Sequence, residues 1–504
     1  MSFYRRLSAA LLALIAVLAF SAAGASAKNM LIWGNAGADT LSYANLDGSG
    51  GGDLGLGGAT VEEPMGVAVD LAAGRIYWIE DPADAIRFGN LDGSGSVGTL
   101  SIAGTELSGG QGLSLDKAAG RIYWDSDEKI WFANLDGSGG GEIPAGGATL
   151  VGPQGVAPDP ANGRIYWANT YEPMAPISSA RLDGSGEGED IEGGIAGTSL
   201  ASGLALDPGA SRVYWSSFGD NSIGVANLDG SGGEDLPTGT ATIVQPQGLA
   251  VDPIGGKTYW TNWEGGGPQI GYTSLDGSGA GGDLNSSGAA VGSPDLPNHP
   301  IVLRAPEALA SPQLSGRPVI GQPLTCVAAT WPTDIPGAQL YQAPQTEGIE
   351  WTRDGATVPG ALGASFTPSS GGTYACRAFA SNFAGTGTAT SAAFVVPPAG
   401  ASLPSGFHLG KLVKERKEGT AILKVTVGSA GTVVLKGHGV KRVKARPKGA
   451  TTLKLAVKPQ GEARKKLLES GKAKLKLVVT FAPRGGAPMV KRKTVTLIRT
   501  ARER

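Results

Sequence analysis

Gly74-Arg-Ile-Tyr-Trp78, Gly120-Arg-Ile-Tyr-Trp124, Gly163-Arg-Ile-Tyr-Trp167, Ser211-Arg-Val-Tyr-Trp215 and Gly256-Lys-Thr-Tyr-Trp260 are five versions of one string. A sixth, worn version is Met30-Leu-Ile-Trp33. The tryptophans fall 45, 46, 43, 48 and 45 residues apart. That interval is the length of a four-stranded propeller blade, a unit that buries its apolar face only against its neighbours. Between the strings a Leu-Asp-Gly-Ser-Gly block recurs, with Asp47, Asp92, Asp136, Asp183, Asp229 and Asp276 in its second place. An Asp whose carboxylate can accept backbone N–H groups, followed by glycines free to take positive φ, signals a tight turn.

The second repeat shows how a blade is parsed. Gly66 to Asp70 is a short apolar strand, Arg75 to Ile79 an alternating one, and Ala85 to Leu91 a third. Asp92 to Gly95 then turns the chain into a fourth strand around Val97 to Ile102. The first strand recurs at Gly112, Gly155, Gly203 and Gly248, but the chain enters the first blade directly at its second strand, Leu31 to Trp33. The missing inner strand must come from after the sixth turn. Pro300-Ile-Val-Leu-Arg304 lies at nearly the right offset and is expected to latch the ring.

These paired motifs closely resemble the class B (YWTD) repeats of the low-density lipoprotein receptor family, over about 275 residues. The resemblance implies a six-bladed β-propeller with the Gly-Leu-Ala-Val-Asp type of strand innermost. No copy keeps the four-letter string intact: Ile79-Glu80, Asp125, Ala168, Ser216 and Thr261-Asn262 follow the Tyr-Trp pairs.

Composition divides the chain further. The 504 residues carry a formal charge of only −2, but unevenly. Residues 28–305 hold 11 Lys and Arg against 34 Asp and Glu; residues 406–504 hold 26 against 5. Three compositions imply three domains: a propeller at 28–305, a second module at 306–398, a linker at 399–405 and a basic module at 406–504. Residues 1–27 read as a signal peptide, with Arg5 and Arg6, an apolar Leu11–Phe20 core and Ala25-Ser26-Ala27 as the cleavage site. No later stretch is apolar and long enough to span a bilayer. A secreted or cell-wall-associated protein is expected.

The only cysteines, Cys326 and Cys376, fall in the second module, with Trp351 between them and Tyr374 two residues before the second. In an exported chain they are expected to form a disulfide. The Cys, Trp and Tyr-x-Cys pattern resembles bacterial immunoglobulin-like domains, which implies a two-sheet sandwich with a tyrosine corner. In the basic module, strand periodicity runs over 422–427, 432–435, 453–457, 474–481 and 494–498, with Lys alternating with apolar residues, and a short helix is expected at 461–469. It is similar to small basic β-sandwich modules of actinobacterial exported proteins. The whole chain is therefore expected to be all-β.

For function, loops after the Tyr-Trp strands and before the inner strands should share one face. They carry the candidate ligand-binding residues Glu63, Glu80, Gln111, Asp125, Gln154, Asn169, Tyr171, Gln247, Asn262 and Trp263. Such an acidic, aromatic-dotted rim suits a protein, peptide or glycan. The basic module suits anionic cell-wall polymers rather than nucleic acid, since Phe407 and Phe481 are its only aromatics. The three histidines, His299, His408 and His438, cannot assemble a triad or metal cluster with the ring. A non-enzymatic binding protein without cofactor is expected. The alternative is a propeller hydrolase or lyase whose channel carboxylates hold a metal such as calcium, although no loop of calcium-binding spacing is present. Asp70, Asp116, Asp207 and Asp252 recur at equivalent places and read as turn caps.

Overall fold

The computed structural model describes residues 28–171, 176–191, 200–263, 269–290, 298–398, 407–484 and 488–500. The expected signal peptide at 1–27 and the expected linker at 399–405 lie outside them. The chain falls into two compact units: 1–311 with 329–348 and 378–389, and the remainder. The stretch 306–398 is thus divided between the two.

The first unit is built on six sheets: five are antiparallel and follow the chain from one strand to the next, and the sixth joins strands within residues 30–53 to Ile301–Leu303 and Leu340–Tyr341. The second blade is typical: Pro64–Asp70, Arg75–Glu80, Ala85–Asn90 and Gly98–Thr99. Fourth strands are short, two to four residues, because the glycine-rich turn before them leaves few side chains to pack. Each innermost strand neighbours the next, and Pro246–Asp252 of the sixth sheet neighbours Ile301–Leu303, so the sheets close into a β-propeller ring. Ile301–Leu303 is the expected latch: Leu303, Val302 and Ile301 pair with Met30, Leu31 and Ile32.

The six repeat tryptophans, Trp33, Trp78, Trp124, Trp167, Trp215 and Trp260, are fully buried between sheets. At about 150–250 Å² of surface each, they dominate the area that only a closed ring can bury. The indoles of Trp124, Trp167 and Trp260 also donate to the carbonyls of Glu106, Thr149 and Thr242, each 18 residues earlier. The Leu-Asp-Gly-Ser-Gly turns behave as read. Asp47, Asp92, Asp136, Asp183, Asp229 and Asp276 each accept the backbone N–H of the serine two residues on. These serine bonds hold all six carboxylates below the usual range, Asp276 at about 2. Asp70, Asp116, Asp159, Asp207 and Asp252 cap the next turn in the same manner.

One element is absent from the sequence reading. Residues Asp334–Gln342 insert into the ring from the end where these five aspartates lie. The 3-10 turn Pro336–Ala338 is buried against four inner strands. Leu340–Tyr341 pairs in parallel with Val302–Leu303. Ser114 Oγ donates to the Pro336 carbonyl at 3.3 Å, and Gln339 Nε2 to that of Val156 at 3.1 Å. A Cβ on Gly337 would lie 2.6 Å from the Pro158 carbonyl oxygen, so only glycine fits the tip of this plug.

In the second unit, Gln313–Gly316, Leu324–Val327 and Ser365–Phe366 form one sheet. Cys326 and Cys376 are disulfide-bonded, and both sit in an apolar cluster with buried Trp351. Tyr374 donates its hydroxyl proton to the Ser370 carbonyl at 3.0 Å, a tyrosine corner. The basic segment has two sheets: His408–Glu415, Thr420–Val427 and Thr451–Val457 in one, and Val440–Ala445, Gly431–Gly437, Lys472–Pro483 and Met489–Ile498 in the other. His408–Glu415 and Val440–Ala445 were not expected as strands; their polar residues hide the alternation. The helix is Glu462–Ser470.

Candidate functional site

The end of the ring opposite the plug carries the expected loops. Asp81, Asp127, Thr170, Phe218 and Trp263, just after the Tyr-Trp strands, donate their backbone N–H to Glu63, Ser108, Gly152, Leu200 and Gln245, just before the inner strands. Five repeated bonds thus bring the two loop sets onto one face.

The candidate residues divide into three kinds there. Glu80, Asn169 and Asn262, with Ser126, hold the fourth place after Gly/Ser-x-x in the Tyr-Trp-x-x string. Each accepts a backbone N–H from 18 residues earlier: Glu62 to Glu80, Ser108 to Ser126, Val151 to Asn169 and Val244 to Asn262. Glu80 also pairs with Arg87 at 3.3 Å. All four are buried, so this place in the repeat ties the blade to its preceding loop.

Asp125 holds the third place, as do Ser216 and Thr261. These three accept the N–H of the inner-strand glycine 13 residues earlier, Gly112, Gly203 and Gly248. Asp125 also accepts from Gln111 N–H at 2.8 Å. Burial pushes its carboxyl up to about 7, although these backbone donors oppose the shift. An Asp here does the work a hydroxyl does elsewhere in the ring.

The second kind lies on the channel axis. Gln247 Nε2 donates to Gln111 Oε1 at 3.0 Å. They belong to the sixth and third blades, which stand opposite each other, so the bond spans the mouth. Beside it, Ser202 Oγ donates to Gln154 Oε1 at 2.7 Å. Below lies a collar in which five blades contribute Gly66, Gly112, Gly155, Gly203 and Gly248, each close to its counterpart in the next blade. The latch segment contributes His299 instead. Its Cα lies 2.3 Å from where a Cβ on Gly248 would be, and its Nε2 lies 3.3 Å from that of Gly155 in the opposite blade. The imidazole therefore crosses the axis. It is buried, neither nitrogen has a hydrogen-bond partner among the described residues, and burial lowers it to about 4. Sequence reasoning missed this role; the one signal was a non-glycine at the sixth collar position. Glutamine bridge, histidine and plug tip follow one another along the channel.

The third kind reaches the surface: Tyr171 and Glu63 are exposed, and Trp263 is half-buried. Tyr171 is 62% exposed and lies over Gly152, where a Cβ would meet its ring at 2.5 Å. Trp263 and Phe218, from neighbouring blades, meet edge to face at 6.5 Å. Glu63 has a left-handed φ of 41°, held by its N–H bond to Asp39 Oδ1, and leaves its carboxylate in solvent. Among the described residues there is no group of three His, Cys, Asp or Glu side chains placed to hold a metal ion, and no helix long and apolar enough to cross a membrane.

No family model and no curated protein matches the chain. It is similar to a chain of a nidogen/laminin complex at 18% identity and a TM-score of 0.43, over 54% of this chain and 98% of that one. It is similar to a putative TolB from Agrobacterium tumefaciens at 11% identity and 0.37, over 55% and 99%. A third likeness, to hydrazine synthase of Kuenenia stuttgartiensis, is at 13% identity and 0.35, over 47% and 71%. These likenesses bear on the fold alone.

Proposed function

We propose that the chain is an exported, non-enzymatic binding protein that recognises a protein or peptide on the unplugged propeller face. The observation carrying this reading is the pairing of surface aromatics, exposed Tyr171 and the half-buried Trp263–Phe218 pair, with a mouth of amide side chains. Aromatic anchors beside polar groups are what interface hot spots use. The likeness to class B repeats supports the reading. So does the channel itself, whose axis holds His299 and Pro336–Ala338 where the alternative, a hydrolase or lyase with a channel metal, would need ligating carboxylates. Of the ten candidate residues, Tyr171, Trp263, Glu63, Gln111, Gln154 and Gln247 remain as ligand contacts; Glu80, Asp125, Asn169 and Asn262 hold the blades.

A displayed peptide library panned on the full chain tests this. Enriched peptides should bind at least tenfold more weakly to Tyr171→Ala/Trp263→Ala and equally to Lys117→Gln on the plugged end. Peptides that ignore the aromatic pair but respond to Lys117→Gln would overturn it.

A further inference from the structure

The basic segment is not basic everywhere. In the sheet Val440–Ala445, Gly431–Gly437, Lys472–Pro483, Met489–Ile498, inward positions Ala473, Leu475, Leu477, Val479 and Phe481 are buried. The register fixes what points outward. Lys474 pairs with Thr496, Lys476 with Thr494 and Val478 with Arg492. Lys436 pairs with Val478, and Lys444 with Val434. Lys472, Lys474, Lys476, Arg492, Lys436 and Lys444 are all exposed. The four strands contain no Asp or Glu, and no cation of the described residues 407–500 forms an ion pair with a carboxylate within 4 Å.

A face that only needs water interleaves both signs. This one spreads six cations over four strands, each opposite an uncharged residue where the register pairs it, with no carboxylate among them. Alternate residues on a strand stand about 6.7 Å apart, so Lys472, Lys474 and Lys476 form an evenly spaced row. Lysine holds phosphate as a point charge, without the planar two-bond geometry of the arginine fork, so a lysine row sets charge spacing rather than a fixed ligand orientation. The segment offers no stacking surface, since its two aromatics, Phe407 and Phe481, are buried.

We propose that this sheet face binds a linear phosphate polyanion by charge alone. It acts independently of the propeller face.

The test uses the full chain and long-chain inorganic polyphosphate as probe. Binding should weaken on the order of tenfold in Lys474→Gln/Lys476→Gln/Arg492→Gln, with the salt slope falling by about 2. Lys424→Gln/Lys454→Gln, a like-charged pair on the other sheet, should change neither. Equal losses in both variants, or none in either, would overturn the assignment. So would binding to phosphatidylglycerol vesicles or to single-stranded DNA in the absence of polyphosphate binding.

Discussion

Burial in the ring shifts the ionisation of both Asp125 and His299, and they flank Gly155 from opposite sides of the axis. Their effects on stability oppose each other. The folded state raises Asp125 from 3.8 to about 7, so its contribution is complete below 3.8 and lost as pH rises to about 7. It lowers His299 from 6.5 to about 4, so that contribution is complete above 6.5 and lost as pH falls to about 4. Asp125→Ser, which copies Ser216, should be less stable than wild type at pH 4, because one hydroxyl replaces two acceptor oxygens. Its deficit should shrink steadily up to pH 7. Melting temperatures from pH 4 to 8 check this, and a deficit that stays constant would refute it. The same pair shows what the sequence hides at this scale. The polar residues after each Tyr-Trp pair look identical whether they face a ligand or a backbone N–H. Only the constant offsets of 13 and 18 residues, seen once the hydrogen bonds are known, separate the two.

At the scale of elements, the latch and the plug are one device. Ile301–Leu303 is paired on one side with Met30–Ile32 and on the other with Leu340–Tyr341, so the closing strand is central in its sheet rather than at an edge. The latch was legible because the repeat count left one inner strand unaccounted for. The plug was not, because Asp334–Gln342 has neither repeat nor alternation and reads as a loop between two sandwich strands. Its tip tests the arrangement. Gly337→Val would force a branched side chain against the Pro158 carbonyl and Leu206. Overpacking of this kind costs about 1–3 kcal/mol. The denaturant midpoint followed by tryptophan fluorescence should fall accordingly, since the six repeat indoles report on the ring. An unchanged midpoint would mean that the plug does not hold the channel.

Across the whole molecule, the near-zero net charge conceals two blocks, −23 over residues 28–305 and +21 over 406–504. Repeat period and charge counts revealed this division from sequence. Which lysines share a face required the strand register, since alternation shows only that one face of each strand is basic. The blocks make the chain a macro-ion whose two oppositely charged blocks attract between copies as well as toward other partners. Screening decides the outcome: the Debye length is about 30 Å at 0.01 M salt and about 8 Å at 0.15 M. Near the sequence pI of 6.1 no net charge keeps copies apart. Light scattering should therefore show association at 0.01 M salt that reverses at 0.3 M. Polyphosphate added at low salt should also disperse it, because the polymer would occupy the Lys472–Lys476 row and leave the acidic ring without its complement. Lys474→Gln/Lys476→Gln/Arg492→Gln should associate less from the start and respond weakly to the polymer. Association that survives 0.3 M salt would place its cause in apolar surface instead of charge.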